Sequence, residues 1–189
     1  ADVDFFALSR ACETVARWQR EGGRVVPLAV NFSRLTVGEE GFVSRVVQTV
    51  ARYGVDPALI EIEVTESARG QGGNLLRNVA DELRGCGFRV AIDDFGVDNA
   101  NVSLFVQLEF DVLKMDKSLI WGIDATDRTM RVVSGMATLC DDLHVESVAE
   151  GIETEQQFKA LGTTGCTRAQ GYYVGRPAPI VEFEQRFLA

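Results

Sequence analysis

Six short runs rich in β-branched residues recur along this chain, and amphipathic stretches separate them. The runs lie at 25–30, 59–64, 89–92, 112–115, 145–149 and 170–174. Between them apolar residues return at helical spacing: Phe5, Leu8, Cys12 and Val15, then Phe42, Val46 and Val50, then Met130, Val133, Ala137 and Cys140. Gly22, Gly54, Gly87 and Gly165 stand near the ends of these helices, where a left-handed cap is wanted. Strands joined through helices form a parallel sheet with right-handed crossovers, so the fold class is α/β.

With 189 residues, no low-complexity block and no Pro/Ser-rich linker, residues 1–189 read as a single domain. Hydrophobic residues make up 46%, which is too many for a disordered chain. No apolar run reaches the roughly 18 residues of a bilayer span, and the opening residues lack the layout of a secretory signal. A cytoplasmic location is therefore expected. The formal net charge of −9 repels nucleic acid, so DNA is not an expected partner, and an anionic substrate would need a metal or a well-placed Lys to offset that field. Cys12, Cys86, Cys140 and Cys166 are widely spaced and read as reduced core thiols. The single histidine, His144, ends a helical run and reads as a helix-terminal contact.

Polar residues gather where the strands end. Asn31 closes the first, Glu63 and Glu66 the second, Asp93 and Asp94 the third, Lys114 and Asp116 the fourth, Glu150 and Glu153 the fifth, and Gln170 begins the sixth. An open sheet concentrates its ligand at one switch point, whereas a barrel brings the C-terminal ends of all its strands to one mouth. Functional groups on every strand favour a TIM-type (β/α)8 barrel. Such a barrel has eight strands in about 250 residues, so the chain is expected to be incomplete, with about six βα units visible and the first two strands before Ala1.

Converging carboxylates with one Asn and one Lys suit Mg²⁺ or Mn²⁺ rather than zinc or copper. Adjacent Asp93 and Asp94 in a buried mouth repel, and paired divalent ions would relieve that repulsion while clamping a phosphodiester. Lys114 suits the attacking water or the developing charge, and Glu150 suits proton acceptance. Each residue also has a plain structural reading: a turn and helix cap at Asp93-Asp94, an ion pair between Glu63 and Lys114, a strand-to-helix cap after Asn31. Their recurrence at the same end of five strands favours the joint site. The stretch Arg69-Gly70-Gln71-Gly72-Gly73 lacks the ending of a phosphate loop and reads as a connection.

The motifs Val30-Asn31-Phe32-Ser33, Glu61-Ile62-Glu63-Val64-Thr65-Glu66-Ser67, Ala91-Ile92-Asp93-Asp94-Phe95-Gly96, Leu113-Lys114-Met115-Asp116-Lys117-Ser118, Val148-Ala149-Glu150-Gly151-Ile152-Glu153-Thr154 and Gln170-Gly171-Tyr172, closing with Arg176-Pro177, occur in register. In these motifs the chain resembles the EAL-domain family of cyclic di-GMP phosphodiesterases. The resemblance implies a modified barrel whose mouth binds two divalent ions and hydrolyses cyclic di-GMP to linear pGpG. By motif position it implies Asn31, Glu63 and Asp93 as ligands of one ion, and Asp93, Asp94 and Glu150 or its bound water for the other. Lys114 matches the water-orienting lysine and Glu150 the base. Glu153 and Asp116 support Glu150, Gln170 and Asp116 lie on the substrate side, and Glu66 steadies the loop after Asp93-Asp94. A homodimer and an N-terminal sensory or diguanylate-cyclase domain are the implied partners.

Two departures from the pattern stand out. The Glu-Ala-Leu motif, with its metal-binding glutamate, would precede Ala1, so this chain alone is expected to bind metal less well. The loop after Gly96 reads Val97-Asp98-Asn99-Ala100-Asn101 where the family has Thr-Gly-Tyr-Ser-Ser. The alternative reading is a catalytically degenerate domain that acts as a cyclic di-GMP receptor or a protein-interaction module. A further alternative is a metal-assisted acid/base barrel acting on a small carboxylate, with Lys114 as base.

Overall fold

The computed structural model describes residues 1–65, 74–97 and 102–188. Along them run α1 (Asp2–Glu21), β1 (Leu28–Phe32), α2 (Arg34–Val37), α3 (Phe42–Tyr53), β2 (Ile60–Thr65), α4 (Asn74–Gly85), β3 (Arg89–Phe95), α5 (Leu104–Gln107), β4 (Val112–Met115), α6 (Lys117–Ile120), α7 (Asp127–Asp142), β5 (Glu146–Ala149), α8 (Glu155–Leu161), β6 (Arg168–Ala169) and α9 (Ile180–Phe187). The strands follow one another in the order β1-β2-β3-β4-β5-β6. The pairs β1–β2, β3–β4, β4–β5 and β5–β6 are parallel, as strands joined by helical crossovers must be. Among the described residues no helix is long and apolar enough to cross a membrane.

The chain divides into two compact units. The first comprises Ala1–Val90, Phe105–Glu109 and Ala178–Ala189. Here α1 buries Phe5, Leu8, Cys12 and Val15 on one face, against the buried Phe42, Val46 and Val50 of α3 and against β1. Phe5, Phe32 and Phe42 meet edge to face with ring centroids 5.1–6.1 Å apart, an arrangement that aromatic quadrupoles favour. Arg45 covers the outer side of this cluster, with its guanidinium 3.8 Å from the Phe5 ring centroid. Ser33 caps α2 by accepting the Thr36 N–H, so β1 passes into a helix that begins three residues after Asn31. Helix α9 is held to α1 through Glu184, which accepts the Trp18 indole N–H at 2.6 Å and pairs with Arg17. The Trp18 and Phe183 rings stack beside that contact.

The second unit comprises Ala91–Leu104 and Phe110–Pro177. Strand β4 is buried throughout, β3 is buried over Val90–Asp93 and at Phe95 while Asp94 is exposed, and Ala91, Val112 and Val148 form a layer across β3, β4 and β5. Helix α7 packs along β5 and is started by Thr126, whose side chain accepts the Thr129 N–H. Helix α8 begins with a capping box, in which Thr154 and Gln157 each satisfy the other's backbone N–H.

Two expectations need correction. The run 170–174 is not a strand; the sixth strand is Arg168–Ala169, and Gln170 follows it rather than beginning it. Tyr172, Tyr173 and Val174 favour extended backbone, but Gly171 approaches Ile152 so closely that an added Cβ would lie 2.2 Å from the Ile152 carbonyl oxygen. The chain turns there, with the Val174 and Gly175 N–H groups donating to the Gly171 carbonyl. The second correction concerns the thiols. Cys12 and Cys140 are buried, and burial pushes their thiols up to about 11 and about 12, but Cys86 is exposed and Cys166 half-buried.

Candidate active site

In the first unit, the parallel register sets Asn31 of β1 beside Glu63 of β2. The Asn31 amide donates from Nδ2 to Glu63 Oε2 at 2.7 Å. That bond leaves the Asn31 carbonyl oxygen as an acceptor for an incoming cation or donor. Glu63 is buried, so its charge depends on such partners.

The second unit holds the denser cluster, and a backbone irregularity makes it possible. Ile92 of β3 pairs with Leu113 and Phe95 with Met115, so Asp93 and Asp94 together oppose Lys114 alone. This is a β-bulge. Asp94 has φ of 58°, a left-handed conformation that Asp tolerates better than most residues. A regular strand would turn successive side chains to opposite faces. With the bulge, ligand oxygens of Asp93, Asp94 and Glu150 all lie within 4.8 Å of one another.

Lys114 is 4% exposed, and its Nζ reaches Asp93 Oδ1 at 3.0 Å and Glu150 Oε1 at 2.9 Å. Glu150 continues the β4–β5 ladder beyond Ala149, its N–H donating to the Met115 carbonyl at 3.0 Å. Gly151 then takes φ of 73°, and a Cβ there would fall 2.4 Å from Lys117 Cβ, so only glycine lets the chain leave Glu150 along α6.

Charge crowding shows in the acidities. Burial, with the Asp93 and Asp116 carboxylates, pushes Asp94 above its ordinary value, and Lys114 offsets only part of this. Asp116 goes the other way. Burial would raise it, but hydrogen bonds from Ser118 and the Lys117 amide outweigh burial and hold the carboxyl low. Asp116 caps α6, accepting the Ser118 N–H at 2.8 Å. Glu153 is exposed, and its backbone N–H donates to Gln157 Oε1 at 2.8 Å. Gln170 is tied at both ends, its N–H to the Ala149 carbonyl at 2.8 Å and its carbonyl to the Ile152 N–H at 3.1 Å. Glu66, and residues 98–101 of the loop after Gly96, lie outside the described residues.

One participant escaped the sequence reading: Asp4, which looks like an ordinary acidic residue in a first helical turn, instead bonds to the turn after Asn31. Its only sequence signal is an acid in the turn of α1 that also carries buried Phe5.

An all-oxygen donor set beside a buried lysine suits a hard divalent ion, and three carboxylates within reach of one another fit such an ion without rearrangement of the strands. The family model described as the EAL domain matches residues 1–177.

This chain belongs to the EAL-domain family. The EAL domain of Mycobacterium smegmatis DcpA is similar to it, at 31% identity and a TM-score of 0.88, over 95% of this chain and 81% of that one. Structural neighbours of this EAL chain are of TIM-barrel type. Klebsiella pneumoniae BlrP1, solved as a complex with manganese and cyclic di-GMP, is 28% identical with a TM-score of 0.78, over 92% of this chain and 44% of that one. The cyclic di-GMP phosphodiesterase NbdA of Pseudomonas aeruginosa is 31% identical over 97% of this chain and 23% of its own length. The chain spans 21–29% of the length of the curated relatives it matches.

Proposed function

We propose that this EAL domain hydrolyses cyclic di-GMP to linear pGpG with two divalent ions, Mg²⁺ or Mn²⁺. The observation that carries the reading is the meeting of Asp93, Asp94 and Glu150 around buried Lys114. Asn31 and Glu63 are the ligands in the first unit, and Asp93, Asp94 and Glu150 those in the second. Bound divalent ions would supply neutralisation of the phosphodiester and a lowered pKa for water.

The chain's own groups do the rest. Lys114 orients the attacking water by donating to its oxygen, and Glu150 accepts the proton as general base. Asp93 keeps Lys114 aimed, since Nζ lies within hydrogen-bond reach of both Asp93 and Glu150. Glu153 and Asp116 support Glu150, and Gln170 and Asp116 contact the dinucleotide. With a net charge of −9, the chain needs this local arrangement to admit an anion.

Curated relatives several times longer than this chain support its reading as one module of a larger signalling protein. We read that protein as cytoplasmic, with a sensory or diguanylate-cyclase domain N-terminal to residues 1–189, and as working in a homodimer.

The test is direct. Residues 1–189 joined to the preceding segment that carries the Glu-Ala-Leu motif, folded and incubated with Mn²⁺ or Mg²⁺ and cyclic di-GMP, should yield pGpG on anion-exchange chromatography, and Glu150→Gln should stop it. Binding of cyclic di-GMP at high protein concentration without any product would overturn the catalytic reading in favour of a receptor.

A further inference from the structure

We propose that Asp4 is a positioning residue for the Asn31–Glu63 pair, acting through the turn that follows β1. This rests on the reading of Asn31 and Glu63 as cation ligands given above. Asp4 Oδ2 accepts the Ser33 N–H at 3.0 Å and the Thr36 hydroxyl at 2.6 Å. Thr36 is fully buried, and its hydroxyl also meets Ser33 Oγ at 2.9 Å. One carboxylate thus ties α1 to two residues of the β1–α2 turn, the nearer only two positions beyond Asn31.

The neighbouring side chain reinforces the tie. Phe5 packs its ring against Phe32 at 5.5 Å, so consecutive residues of α1 grip the backbone on the C-terminal side of Asn31, one by hydrogen bonds and one by packing. Asn31 is therefore held by Glu63 at its side-chain amide, while α1 fixes the two residues that follow it, Phe32 by ring packing and Ser33 at its N–H. An acid in a first helical turn ordinarily serves the helix dipole from solvent. Here it is spent on another element, and although burial alone would raise its carboxyl, the bonds from Thr36 and Ser33 hold it below the ordinary value. Removing a group bonded directly to a metal ligand typically weakens metal binding by about 10- to 100-fold, and Asp4, which acts one step further out through Ser33, should fall at the lower end of that range.

The experiment measures Mn²⁺ binding to the 189-residue chain by loss of the free-ion electron paramagnetic resonance signal, together with hydrogen exchange at the Ser33 amide. Asp4→Ala should weaken one class of Mn²⁺ site about tenfold and speed exchange at Ser33. Asp4→Asn, which keeps an acceptor oxygen, should recover most of the affinity and serves if the alanine variant does not fold. Thr126→Ala, which removes the α7 cap in the other unit, should lower the melting temperature and leave Mn²⁺ affinity unchanged. In a Glu63→Gln background, Asp4→Ala should add nothing further to the loss. Faster Ser33 exchange with unaltered Mn²⁺ affinity would show Asp4 to be structural only and overturn the inference. A folded wild-type chain that takes up no Mn²⁺ even when joined to the segment carrying the Glu-Ala-Leu motif would overturn the functional reading itself.

Discussion

The Asp94 N–H donates to the Asp93 carboxylate at 3.0 Å, so the second aspartate is held in its left-handed conformation by the first. Two acids adjacent in a strand reach one cluster because the bulge absorbs the turn between them. Asp94→Asn keeps a residue that tolerates this conformation and should retain the fold while weakening Mn²⁺ binding by tenfold or more. Asp94→Val should in addition destabilise the chain by about 1–2 kcal/mol, since a β-branched residue resists that backbone region. Isothermal titration with Mn²⁺ and thermal unfolding separate the two effects.

Asp94 also sets a pH dependence. Its carboxyl is raised in the folded chain, so the folded state binds this proton more tightly than the unfolded state, whose value is near 3.8. The contribution to stability is full below that value and is lost as pH rises through the folded one. In EDTA, the melting temperature should therefore fall as pH rises through mild acid, and Asp94→Asn should flatten that slope. Over the same range Mn²⁺ affinity should increase, because ion and proton compete for the same oxygens. A wild-type slope matched by the variant would count against this assignment.

Lys114 bridges Asp93 and Glu150 from a buried position. Lys114→Met fits the space but leaves two carboxylates without their cation, and breaking such a pair costs about 3–5 kcal/mol. We expect unfolding in EDTA to shift by that order, and saturating Mn²⁺ to restore part of the loss. Turnover should fall at least a hundredfold even in the restored protein, measured as initial rate of pGpG formation.

Gly171 follows Gln170 and leaves no room for a side chain against the Ile152 backbone. Gly171→Ala should cost about 1–3 kcal/mol, the range of overpacking, because a carbonyl cannot swing aside as a side chain would. It should also displace Gln170, so KM for cyclic di-GMP is expected to rise more than kcat falls. Denaturant unfolding and steady-state kinetics test the two halves independently.

Much of this arrangement was legible in the residues. Strand–helix alternation implied parallel pairing, and Asn31, Glu63, Asp93, Lys114 and Glu150 are found at the expected ends of their strands. The bulge was not legible, because period-2 reasoning assigns adjacent residues to opposite faces and nothing in Ile92-Asp93-Asp94-Phe95 announces an extra residue. The sixth strand was misplaced because Tyr172, Tyr173 and Val174 carry strand propensity, while the close backbone approach at Gly171 is a tertiary fact. Asp4 was missed for a similar reason: its partners Ser33 and Thr36 are distant in sequence, and a first-turn acid has a sufficient local explanation.

The bulge in β3 makes segment length matter as much as residue identity. Excising a single position between Ile92 and Phe95 would restore strict alternation and leave one aspartate opposite Lys114, so the shortened strand could offer the cluster only one of its two carboxylates. Single-codon losses at this point should therefore be tolerated less well than most point substitutions around it.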